Sequence, residues 1–179
     1  TRRRLRDAAL RLHAALSFPD DRAGWARRAH ATALRLLRDE RIELIFSTAP
    51  PMSAHALASR LARQSGLPWV ADFRDLWTGN PGYVAPAWRR RLDDRTLDRW
   101  LRQAAGVVTV TPTWQRQLAA RRGDDRVALI ANGYDEADFH GVVPVAAEPG
   151  VFRLLHGGTL YGHQSPRPAL QGVAAYLQS

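Results

Sequence analysis

Two carboxylates, a guanidinium and two aromatic rings fall within six residues at Asp72-Phe-Arg-Asp-Leu-Trp77. Carboxylates accept hydrogen bonds from sugar hydroxyls and act as general bases, and arginine clamps phosphate with paired N–H donors. Asp72, Arg74 and Asp75 are therefore candidate catalytic residues. The competing reading is an internal Asp–Arg ion pair that only fixes the loop. A second polar loop, Ser47-Thr-Ala-Pro-Pro-Met-Ser53, offers hydroxyls and the free N–H groups of a helix N-terminus, which bind anions or sugar hydroxyls. Ser53 and His55 fall in the first turn of that helix. Ser53 reads equally as a simple cap, and His55 as a rim or structural residue. A third loop, Gly157-Gly-Thr-Leu-Tyr161, could bring backbone amides against a diphosphate. Thr109-Val-Thr-Pro112 reads as a helix cap, and Asn132-Gly-Tyr-Asp135 as a turn with Gly133 at positive φ.

Strands and helices must position these groups. Residues 3–16 and 23–38 carry apolar side chains at helical spacing, Leu5, Ala8, Ala9, Leu12 and Leu16 in the first, Ala26, Ala29, Ala33, Leu36 and Leu37 in the second. Phe18-Pro-Asp-Asp-Arg22 separates them, with Asp20 or Asp21 as a cap for the second. Residues 42–46 and 69–73 read as strands. The first is apolar almost throughout, as in a parallel sheet covered on both faces. Between them, 52–65 reads as a crossover helix with Ala54, Leu57, Ala58 and Leu61 inward, stopped by Gly66. A long helix over 88–105 turns Leu92, Thr96, Leu97, Trp100 and Leu101 inward, followed by a strand at 107–110, a helix over 113–121 and a strand at 127–130. Residues 151–155 read as a fifth strand and 166–177 as a last helix. The expected fold class is α/β, a Rossmann-like, mostly parallel sheet flanked by helices, with a second such unit begun. Polar residues collect where strands end, and open parallel sheets bind ligands there.

Composition narrows the function. The 179 residues carry a net charge of +9, and all 26 basic residues are arginine. These arginines are dispersed over expected helices, which argues against nucleic acid and suits an anionic membrane surface. No cysteine is present, which excludes disulfides and thiolate metal sites and fits a reducing cytoplasm. No apolar run reaches the ~18 residues of a membrane span. Without lysine there is no Walker A loop, and Gly157-Gly158 is not the Gly-x-Gly-x-x-Gly of a nicotinamide site. His140, His156 and His163 lack metal-ligand spacing. No Gly-x-Ser-x-Gly elbow exists.

Taken together, Phe18-Pro-Asp-Asp-Arg22, Ile45-Phe-Ser-Thr-Ala-Pro-Pro-Met-Ser-Ala-His55, Leu67-Pro-Trp-Val-Ala-Asp-Phe-Arg-Asp-Leu-Trp-Thr78, Val108-Thr-Val-Thr-Pro112, Ile130-Ala-Asn-Gly-Tyr-Asp135 with Phe139, and Gly157-Gly-Thr-Leu-Tyr161 resemble the family 4-type glycosyltransferases. These are retaining enzymes of the two-Rossmann GT-B architecture. The resemblance implies an acceptor-side domain over 1–140, a linker over 141–150, and the start of a nucleotide-sugar-binding domain over 151–179. It implies Ser47, Thr48, Ser53, His55 and Trp77 as acceptor-binding residues. Gly157, Gly158, Thr159 and Leu160 would meet the donor diphosphate, with no obligatory metal or other cofactor. Arg74-Asp75 stands where many relatives carry a His-Asp pair. Expected partners are a nucleotide-diphospho sugar and a glycan or lipid-linked acceptor, in the cytoplasm or on the inner face of the cell membrane. The chain reads as a piece of such an enzyme, inactive by itself. The rival reading is a non-catalytic α/β binding or scaffold module for an anion or a protein.

Overall fold

A computed structural model describes residues 17–143, 148–160 and 164–178. The helix expected over 3–16 lies outside them. In chain order they form α1 (Ala23–Asp39), β1 (Ile45–Ala49), α2 (Met52–Ser65), β2 (Trp69–Phe73), α3 (Ala87–Gln103), β3 (Gly106–Thr109), α4 (Pro112–Arg122), β4 (Val127–Leu129), a 3-10 turn (Glu136–Phe139) and α5 (Arg167–Tyr176).

The four strands pair in the order β1-β2-β3-β4, all parallel. Parallel neighbours need crossover connections, which are right-handed almost without exception. Four strands wound in one direction therefore place α2, α3 and α4 on one face of the sheet. The side chains agree: Ile45, Ser47, Ala49, Trp69, Ala71, Phe73, Val107, Thr109 and Val127 are buried, while the alternate residues Phe46, Thr48, Val70, Asp72 and Val108 are not. Phe46 is 58% exposed. Among the described residues, β1 is thus covered on one face only, not two. It also begins three residues later than expected, because the ladder starts where Ile45 pairs with Trp69.

The core joins the inner strand residues to Met52, Ala58, Leu61, Ala62, Leu97, Trp100, Leu101 and Leu118 of the helices. Burying side chains such as Trp69 and Phe73 contributes roughly 1.5–3 kcal/mol each. Leu92 of α3, expected inward, turns out, and Leu36 of the apolar spacing on α1 is also exposed. On α3 the inner position goes to Asp93, which is fully buried in an ion pair with Arg89. Gly66 and Gly123 end α2 and α4 in the left-handed conformation, which a Cβ disfavours.

The described residues divide into two units between Gly133 and Tyr134. The second holds the 3-10 turn, whose Asp135 accepts from Ala137 N, and α5. The strand expected at 151–155 is not formed. A parallel strand exists only through its ladder, and no other described segment of this unit supplies a partner. Gly133 does not take the positive φ expected of it.

Candidate functional site

A cavity of about 580 Å³ opens at the carboxyl ends of β1 and β2. Pro50, Pro51 and Met52 form one wall, directly after β1. Asp75, Leu76, Trp77, Asn80, Gly82 and Tyr83, from the loop after β2, form another, and Asp20, Asp21 and Arg22 close the mouth. Trp77 is set firmly, with its ring stacked on that of Trp100 at 5.3 Å and 17°. Asp75 is exposed and makes no hydrogen bond or ion pair among the described residues. Its carboxylate is therefore available to a ligand.

The segment 18–20 is held here by groups far off in sequence. Arg89 donates to the Pro19 carbonyl at 2.7 Å and lies over the Phe18 ring at 5.3 Å. Asp93 binds the Arg89 guanidinium at 2.8 Å and accepts from the Tyr83 hydroxyl. Burial and the Asp93 carboxylate push the Tyr83 phenol well above its ordinary pKa, so it remains a donor. Asp20 or Asp21 was expected to cap α1, which has no side-chain cap. Instead Asp20 accepts from the Ser53 backbone N–H at 2.9 Å and from the Ser53 hydroxyl, capping α2 from 33 residues away.

That cap changes the reading of the first loop. The N-terminus of α2 already has its anion, and Ser53 is fully buried. Ser47 and His55 are inside as well. Ser47 Oγ lies 2.8 Å from His55 Nδ1 and accepts from Trp69 Nε1 at 2.8 Å. The imidazole sits among the rings of Phe73, Trp69 and Trp100, with Nε2 unpartnered among the described residues. Burial alone pulls its pKa from 6.5 to about 3, so it is neutral. Thr48 and Asp72 occupy the uncovered sheet face, where the Thr48 hydroxyl donates to Asp72 at 2.7 Å. Arg74 makes no ion pair with either neighbouring aspartate. Its guanidinium donates to the Pro50 carbonyl at 3.0 Å and its backbone N–H to Ala49. Of the candidate catalytic and ligand-binding residues named from sequence, only Asp75 and Trp77 line the cavity. Asp20, Asn80 and Tyr83 were missed.

Thr111 caps α4 as expected, accepting from Trp114 N at 3.3 Å. Among the described residues no group of three or more His, Asp or Glu side chains is placed to hold a metal, and no helix is long and apolar enough to cross a membrane. Gly157, Gly158, Thr159 and Leu160 are exposed in irregular backbone, and residues 161–163 lie outside the described residues.

A parallel sheet carries one helical layer and opens a cavity at its strand ends. Residues 1–133 fit the family profile described as Glycosyl transferase 4-like domain. The chain belongs to that family. No curated protein matches it. Membership makes this a glycosyltransferase domain, and sugar donor and acceptor its general partners. Within residues 1–133, the cavity after β1 and β2 is lined by an Asp75 that has no partner among the described residues.

Proposed function

We propose that this domain is the acceptor side of an enzyme that moves a sugar from a nucleotide-diphospho sugar to a hydroxyl of a cell-surface polysaccharide or lipid-linked glycan, with retention. The observation that carries the reading is the Asp75 carboxylate, without a partner among the described residues, in a cavity that the aromatic residues Tyr83 and Trp77 also line. A sugar ring presents an apolar face to an aromatic wall and hydroxyls to carboxylates. Asp75 orients the accepting hydroxyl, whose oxygen bonds to the anomeric carbon as the bond to the diphosphate breaks and the hydroxyl proton passes to the departing diphosphate oxygen. The transfer, on this reading, requires no metal. Arg74, 3.0 Å from the Pro50 carbonyl, holds the two loops together rather than touching the reacting atoms. The work belongs in the cytoplasm or on the inner face of the cell membrane.

The test is nucleotide release by the full-length protein from a panel of nucleotide-diphospho sugars, with and without glycan extract. Acceptor-dependent release from one donor supports the reading and names the sugar. Silence across the panel from folded protein favours a non-catalytic module binding a ligand in the same cavity.

A further inference from the structure

We infer that the outward face of α3 docks on an anionic lipid bilayer. Trp88, Arg91, Leu92, Arg95, Arg99 and Arg102 recur at i, i+3, i+4, i+7, i+11 and i+14, and all six are exposed. They form one stripe roughly 21 Å long at the rise of an α-helix. Its charge is of one sign for a structural reason. The three acids of α3 are all committed elsewhere: Asp93 to Arg89 and Tyr83, Asp94 and Asp98 to Arg121 of α4. The four stripe arginines have no partner among the described residues.

Trp88 and Leu92 are 54% and 40% exposed at the N-terminal end of this stripe. An indole and an isobutyl group side by side with guanidiniums are what an interface of acyl chains and headgroups accommodates. Arginine lays its methylene stem along such a boundary and keeps its charge at the phosphates. Nucleic acid would satisfy the guanidiniums but offers nothing to Leu92, so a bilayer is the better complement. The apolar end also lies close in sequence to the cavity loop. Tyr83 lines the cavity, and Arg90, two residues past Trp88, lies 5.3 Å over its ring. Docking through α3 would bring the cavity mouth to headgroup level, where a lipid-linked acceptor is found. Only this last step rests on the transferase reading.

The experiment is co-sedimentation of the full-length protein with vesicles of phosphatidylglycerol and phosphatidylcholine against phosphatidylcholine alone. It reads no sugar transfer, so its outcome is separate from that of the donor panel. Each arginine near an anionic surface raises partition roughly fivefold. The quadruple variant R91Q/R95Q/R99Q/R102Q should therefore bind at least about a hundredfold less, and Trp88→Ala several-fold less, both with unchanged circular dichroism. Binding of the native protein should fall as salt rises. Equal binding by native and quadruple variant overturns the proposal, as does absence of binding to anionic vesicles. Release from vesicles by duplex DNA or RNA that itself binds through the same arginines also overturns it, in favour of a nucleic-acid surface.

Discussion

Asp72 and Asp75 stand three residues apart and have different surroundings. Asp72 is tied to Thr48 on the sheet face opposite the core, whereas Asp75, in the cavity, has no partner among the described residues. Asp75→Ala in the full-length protein should lower transfer tenfold or more and leave the melting temperature unchanged. Asp72→Ala removes one hydrogen bond and should cost about 1 kcal/mol of stability, read as a lower urea midpoint. Should Asp75→Ala lower stability while transfer per folded molecule stays intact, the site assignment is wrong. His55 carries a pH prediction. Its folded pKa of about 3 lies below the ordinary 6.5, so the unfolded chain binds the extra proton between those values. The stability from keeping it neutral is complete above about pH 6.5 and is lost as pH falls toward 3. This one group should add a slope of about 1.4 kcal/mol per pH unit across that window. In His55→Asn, urea midpoints at pH 7 and pH 5 should differ by correspondingly less.

At the level of elements, the buried Arg89–Asp93 pair ties the first turns of α3 to the segment that caps α2. Removing one partner leaves the other charge buried, so Asp93→Ala should cost about 3–5 kcal/mol. The double change Arg89→Met with Asp93→Leu should cost clearly less, and a denaturation cycle over the four proteins measures the difference. Gly66 has open space where a Cβ would stand, so only its φ of +75° opposes substitution. Gly66→Ala should therefore cost about 1 kcal/mol, through backbone conformation alone. The α3 stripe carries an opposite expectation. Arg95 is one turn from both Arg91 and Arg99 with no carboxylate free to offset them, and like charges at i, i+4 destabilise by about 0.2–0.5 kcal/mol per pair. Arg95→Gln should raise the melting temperature slightly at low salt, and the gain should shrink at high salt.

For the whole molecule, a net charge of +9 implies self-repulsion that salt relieves. The melting temperature of the native protein should rise between low and moderate sodium chloride while its affinity for anionic vesicles falls. The parallel architecture was legible in the chain because its signals are local. Apolar runs at 69–73 and 107–110 mark strands, helical spacing at 52–65 marks the crossover, and Gly66 and Gly123 end helices through backbone geometry that no distant residue needs to supply. The chain also showed, in its loop composition, that chemistry belongs at the strand ends. It did not show which side chains reach the cavity. Ser53 reads as a cap or a ligand group until Asp20 arrives from 33 residues away, and His55 as a rim or a structural residue until Phe73, Trp69 and Trp100 close around it. Leu92 looks buried until Asp93 takes the inner position with Arg89. Spacing along a chain specifies which residues share a face. Which face is buried, and which polar groups are already satisfied, depends on partners brought together only by folding.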